Sequence, residues 1–339
     1  MAWRTFRFGA VIALALSSGT QLVLGLVWPT PNKAFQEGLG VDAFIQPTAS
    51  GAVESGMFGC VRNDGNRFHE AIDLFPIERD ANGEALDPIF SILSGRVVHI
   101  NEDASRSSYG RYIVIQHTDE TLAFHSLYSH LSRVSKGLKV GMQVKEGAVL
   151  GVMGRSASGY SIPKSRAHLH FEIGLALSES FQDWYASKAF KTKNYHGNWN
   201  GMNLVSVDPL AFYSRIQTGK VSDFSEFLKK VPTAAILRIY SDAVPDFVQR
   251  YPLLANSINK QKKLVAWDIA FTDFGVPKQW MPRYEGEIPN RSLGEVVILK
   301  YNAERLRAQS CERVVDLVGN KPKLSSSTLS TLQKLFKYQ

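Results

Sequence analysis

Apolar and polar positions follow two different rhythms along this chain. From about residue 56 to 176 the dominant period is two. The runs 95–100, 109–117 and 121–128 read as consecutive strands separated by turn residues. Ala167-His168-Leu169-His170-Phe171-Glu172-Ile173 alternates strictly, so Leu169, Phe171 and Ile173 share the face a core would take and His168 and His170 share the other. Glycines recurring through 137–151 predict tight turns between short strands. The expected architecture is mainly β, an antiparallel sandwich or partial barrel with one face free for chemistry. Beyond about residue 215 the rhythm changes. Residues 224–231, 246–258, 303–318 and 327–336 have helical spacing, while 264–269 and 295–300 read as strands, which predicts an α+β C-terminal region with its own core. Residues 26–55 carry few periodic signals and read as a leading segment that wraps the domain or shields a site.

Chemistry concentrates on the β part. His69 and Asp73 lie four residues apart, His130 stands alone in Leu127-Tyr128-Ser129-His130-Leu131, and His168 and His170 form a His-x-His pair. His and Asp are nitrogen and oxygen donors suited to Zn²⁺, and a catalytic zinc takes three protein ligands and keeps a fourth position open. Five such residues within roughly 100 positions provide a ligand set with two imidazoles to spare for proton transfer. Arg62, seven residues before His69, is a candidate oxyanion or substrate contact. His99 and His117 read as structural or exposed. His125 is an odd number of residues from His130 on one strand and is expected on the face opposite the site. His196, in a Gly/Asn-rich loop, is a weaker candidate for touching substrate.

These stretches resemble the catalytic domain of M23-family zinc metallopeptidases of the LytM and lysostaphin type. The resemblance covers residues 56–174 and rests on Arg67-Phe68-His69-Glu70-Ala71-Ile72-Asp73-Leu74, residues 109–117, Leu127-Tyr128-Ser129-His130-Leu131-Ser132 and residues 167–173. It implies a LytM-like fold, one Zn²⁺ held by His69, Asp73 and His170, and catalytic roles for His130 and His168. The substrate it implies is the peptide stems of bacterial peptidoglycan. Two departures stand out. Ala71 occupies a position where the family commonly has glycine, which is tolerable unless the backbone needs φ > 0. The loop 159–166 before His168 is longer than usual and would border the groove. The alternative reading is a LytM-like cell-wall binding protein that cleaves nothing and activates other wall hydrolases; the complete five-residue set argues against it.

Composition adds context. The chain has 339 residues and is 44% hydrophobic, enough for one large or two ordinary domains. Arg4 and Arg7 precede a short apolar run and then small polar residues, an export-signal pattern ending near Gly25, with an uncleaved anchor as the alternative. The expected division is 1–25 signal, 26–55 leading segment, 56–214 metallopeptidase domain and 215–339 C-terminal region, in the periplasm or cell envelope. Cys60 and Cys311 either form one disulfide in that oxidising compartment or remain two free thiols. From 219 to 339 there are 19 Lys and Arg against 12 Asp and Glu, nearly all of the chain's net charge of +8. Such a basic region attracts anionic envelope surfaces at long range, or is simply a solvated face. Nucleic acid is a poor partner for an exported chain.

Overall fold

The computed structural model describes residues 25–118, 122–311, 313–319 and 321–337. The expected export signal, apart from Gly25, lies outside them. Two short strands, β1 (Gly59–Arg62) and β2 (Arg67–His69), form a hairpin that sets Gly59 opposite His69. Its turn carries Asn63, Asp64 and Gly65 through positive φ, the region that Asn, Asp and Gly enter most readily. Then come β3 (Ile72–Leu74), β4 (Pro88–Phe90), β5 (Gly95–Asn101), β6 (Arg111–Thr118), β7 (Ala123–Leu131), β8 (Arg133–Val134), β9 (Gln143–Val144), β10 (Val149–Val152) and β11 (Leu169–Ala176). Helix α1 (Phe181–Ser187) and β12 (Leu204–Val207) complete this part.

The main antiparallel sheet runs β12–β11–β7–β6–β5–β9, with β3 also paired to β11. A smaller sheet, β4–β10–β8, contributes Ile89 and Leu150 to the same core as Ile113, Ile115, Tyr128 and Phe171. This is the expected antiparallel β architecture. The cross-strand pairs Phe171–Tyr128 and Glu172–Leu127 show how alternation sorts the sheet. One face is apolar core; the other carries Leu127, Ser129, His170 and Glu172. The leading segment straps this domain: Trp28 stacks on Phe35 at 4.6 Å and meets Tyr213 edge-on, and Gln46 N–H donates to the Asp73 carbonyl.

The C-terminal region is α+β. Its elements are α2 (Pro209–Gln217), α3 (Phe224–Lys230), β13 (Ala235–Tyr240), α4 (Asp246–Arg250), β14 (Leu264–Phe271), β15 (Pro277–Tyr284), β16 (Val296–Tyr301), α5 (Ala303–Ala308), β17 (Val315–Val318), β18 (Lys321–Leu324) and α6 (Ser326–Phe336). The four-stranded antiparallel sheet is ordered β15–β14–β13–β16. Two helical expectations shorten. The 246–258 helix stops at Arg250 because Pro252 drives Tyr251 out of the helical region. The 303–318 helix stops at Ala308, and its second half becomes β17, paired with β18. One hydrophobic cluster runs from Phe124 and Phe212 through Phe224 and Phe227 to Trp267 and Trp280, and α2 crosses residue 214 within it. The Cys60–Cys311 disulfide ties β1 to the C-terminal region across 251 residues. Among the described residues no helix is long and apolar enough to cross a membrane.

Candidate metal centre and its cleft

The centre forms where three strand ends meet. In the β3–β11 ladder His170 is the direct partner of Asp73, so their side chains rise together from one face. His69 closes the β1–β2 hairpin above them. His69 Nε2 lies 3.2 Å from Asp73 Oδ1 and 3.3 Å from His170 Nδ1, and His170 Nδ1 lies 3.2 Å from Asp73 Oδ1. The edges of a tetrahedron with bonds of about 2.0 Å, the usual zinc–nitrogen length, are about 3.3 Å. The donor triangle therefore fits a tetrahedral divalent cation. All three residues are buried.

The outer hydrogen bonds fix which way the lone pairs point. His69 Nδ1 faces the Met57 carbonyl at 2.8 Å, so it must donate and Nε2 is left as an acceptor toward the centre. His170 Nε2 faces Glu172 Oε1 at 3.0 Å, which commits that nitrogen as donor and turns Nδ1 inward. Three acceptors thus converge on one point and call for positive charge. Arg62 Nη2 meets part of that demand, 2.7 Å from His69 Nε2 and in an ion pair with Asp73. A proton on His170 meets the rest: burial lowers its pKa, but Asp73 and Glu172 on its two nitrogens outweigh that and push it up to about 10. Burial likewise raises Asp73, yet the neighbouring histidines hold its carboxyl well below the usual range.

His130 and His168 flank the triangle. His168 bridges Gly154, donates Nδ1–H to the Arg166 carbonyl at 2.7 Å and aims Nε2 at Asp73 Oδ1, 3.6 Å away. His130 donates Nδ1–H to the Ser156 carbonyl at 2.8 Å, and its ring centroid is 4.8 Å from that of His168. Burial, the first cause for both, lowers their pKa values, so the neutral forms are favoured, with Nε2 left as the acceptor; that of His130 faces the Tyr160 hydroxyl at 3.5 Å. His130 reaches the site through a backbone irregularity. Ser129 lies on the site face with His170, and alternation would send His130 into the core; φ of +61° turns it back. A neighbouring glycine makes this possible. A Cβ on Gly110 would lie 2.1 Å from the Ser156 carbonyl oxygen, the group that holds His130.

The same break corrects the expectation for His125. It pairs with Gly174, two positions along β11 from Glu172, so it is on the site face and not the opposite one. It is nonetheless four positions from His170 along β11 and buried edge-on against Trp199. His117 is buried and bonded to Ser126 Oγ and the Ser94 carbonyl, and half-buried His99 packs beside Tyr112 and His196. Sequence reading missed Glu172, which is completely buried and receives both His170 and Ser206 Oγ. Its place two residues after His170 on an alternating strand was the available signal. Glu70, His170 and Glu172 form a second donor group, but Glu172 is already committed to the far side of the His170 ring. Ala71 keeps a negative φ and is fully buried, so its methyl group is accommodated. The long loop borders the pocket of about 440 Å³ through Tyr160, Ser161, Ile162 and Arg166.

Residues 67–180 match the family model described as Peptidase family M23. No curated protein sequence matches the chain. Among solved structures, a zinc-containing peptidase from Vibrio cholerae is 27% identical, with 31% of this chain and 26% of that one covered and a TM-score of 0.24. An M23 peptidase from Pseudomonas aeruginosa is 25% identical over 31% of this chain and 37% of that one, with a TM-score of 0.23. The catalytic domain of the antimicrobial peptidase lysostaphin from Staphylococcus simulans is 23% identical over 47% of this chain and 87% of that domain, with a TM-score of 0.29. The match spans only 26% of the Vibrio protein and 37% of the Pseudomonas protein. Residues 67–180, a third of the chain, thus form a domain of the peptidase M23 type.

Proposed function

We propose that this protein is an exported zinc-dependent endopeptidase that hydrolyses peptide cross-links of bacterial peptidoglycan. His69, Asp73 and His170 hold one Zn²⁺, and His130 and His168 are the catalytic histidines. The observation that carries the reading is the donor triangle with edges of 3.2–3.3 Å, whose lone pairs are turned inward by Met57 and Glu172. Zinc bound there supplies Lewis-acid polarisation of the scissile carbonyl and a water of lowered pKa.

The remaining work belongs to the chain. His130 and His168, neutral and anchored through Nδ1, each present Nε2 as a proton acceptor and, once protonated, as a donor to the leaving amine or the oxyanion. Arg62 is a permanent cation in contact with the triangle and about a quarter exposed, so it reaches a carbonyl oxygen or a substrate carboxylate entering from the cleft. Glu172 holds His170 in the tautomer that keeps Nδ1 available. An open groove suits a polymeric wall substrate. The basic C-terminal region, with 19 Lys and Arg against 12 Asp and Glu, adds long-range attraction to an anionic envelope. Muropeptide release from purified sacculi by the mature protein, stripped with chelator and then reloaded with zinc, tests the reading: cleavage is expected only after reloading.

A further inference from the structure

The metal pocket opens into a second cleft of about 1090 Å³. The two share Phe68, Glu70, Ser108 and Tyr109, so they form one continuous groove along the site face of the main sheet. Glu172 and Ser206 lie on its floor, and Tyr195 borders the side formed by the catalytic part. The facing side comes from the C-terminal region, which the family match does not include: Phe274, Arg313 and the Ser330–Thr331 face of α6.

This side is fastened to the site. Phe274, in the turn between β14 and β15, stacks on Phe68 at 5.0 Å, one residue before His69. Cys311 is bonded to Cys60, two residues before Arg62. Lys334 of α6 donates to the Met202 carbonyl, and Lys188 donates to Gln333. Helix α6 buries Leu332, Leu335 and Phe336 on its other face, so its hydroxyl face fronts the groove while its apolar face holds it in the core.

We propose that the C-terminal region is a wall of the substrate groove and determines specificity by holding one peptide arm of the substrate in extended form; this rests on the peptidase reading above. The cleft alone exceeds the ~300–1,000 Å³ typical of small-ligand pockets. It therefore takes a length of chain and not a single residue. The hydroxyls of Ser108, Ser206, Ser330 and Thr331 offer donors and acceptors to a peptide backbone, and an extended arm leaves the metal pocket through the Ser108–Tyr109 junction.

The test is Thr331→Trp in the full mature chain, which fills the cleft from α6 without touching the metal pocket. Steady-state kinetics are compared on a cross-linked muropeptide dimer and on a short peptide that contains only the cleaved bond and its two flanking residues. The wall predicts at least a tenfold loss in kcat/KM on the dimer, carried by KM, with less than a twofold change on the short peptide and an unchanged zinc content. Ser330→Trp, one position earlier on the same face, replaces it if Thr331→Trp does not fold. Equal effects on both substrates, or none on the dimer, overturn the wall while leaving the peptidase intact. A wild-type protein that binds zinc and cleaves neither substrate overturns the peptidase reading and the wall with it.

Discussion

Two buried aspartates on β-strands show how differently the two halves of this molecule use charge. Asp268, on β14, is clamped by Arg238 Nε at 2.6 Å and Nη2 at 2.9 Å and by Arg283 Nε at 2.6 Å. Both carboxylate oxygens are held by guanidinium groups that never lose their charge. Asp73, on β3, has one arginine and three imidazoles around it, and its Oδ1 faces ring nitrogens at 3.2, 3.2 and 3.6 Å. The first is a closed arrangement that fixes a sheet. The second is an open one, held together by protons and a partly exposed guanidinium, which on the function proposed above a metal replaces. Burial of a carboxylate is common to both; only the identity of its partners separates a structural aspartate from a ligand.

The sharpest way to break that comparison is to neutralise each carboxylate. Asp268→Asn leaves two arginines without their counter-ion and is expected to cost about 3–5 kcal/mol in denaturant unfolding, with zinc content unchanged. Asp73→Asn is expected to abolish zinc binding yet cost the metal-free protein less than Asp268→Asn does, because Arg62 can turn to solvent and His170 can release its proton. Equal destabilisation by the two substitutions would erase the distinction. A smaller effect is expected one step behind the centre. Glu172→Gln keeps the shape but weakens the grip on His170 Nε2, and zinc affinity measured by chelator competition should fall about 10–100-fold; an unchanged affinity would make Glu172 a mere filler of the sheet face.

The smallest effect concerns the histidines that share the site face without joining it. Burial pushes His125 down to about 3 and His99 down to about 4. Their folded-state values lie below the ordinary value near 6.5, so the neutral forms are favoured by folding. The stability they contribute is complete above about pH 6.5 and is lost as pH falls toward 4 and then 3. His125 Nε2 has no hydrogen-bond partner among the described residues, so His125→Phe should remove up to about 2 kcal/mol of the loss in unfolding free energy between pH 7 and pH 5. An identical pH slope in that variant would place the acid sensitivity elsewhere.

The site was legible in the sequence because its donors are locally encoded. Alternation through 167–173 put His168 and His170 on one face, and the short interval from His69 to Asp73 brought two more donors to the same edge. What alternation could not reveal is the turn at His130, where a positive φ overrides strand parity and brings one histidine in; the error about His125 comes from that same residue. The Asp268 clamp was invisible for another reason: Arg238, Asp268 and Arg283 come from three strands with no local pattern linking them. Strand β15 went unread because Pro277 and Pro282 argue against a strand, and it escapes that rule by lying at a sheet edge. The Cys60–Cys311 bond, open from sequence, is closed by a fold that carries α5 and β17 back to β1.

The most direct test of the central claim is the zinc content of the purified mature protein beside His170→Ala and His168→Ala, read together with muropeptide release from sacculi. The account predicts one equivalent of zinc in the wild type and in His168→Ala, none in His170→Ala, and new cleaved cross-links in the wild type alone. Equal zinc in all three proteins, or no zinc in the wild type, would contradict it.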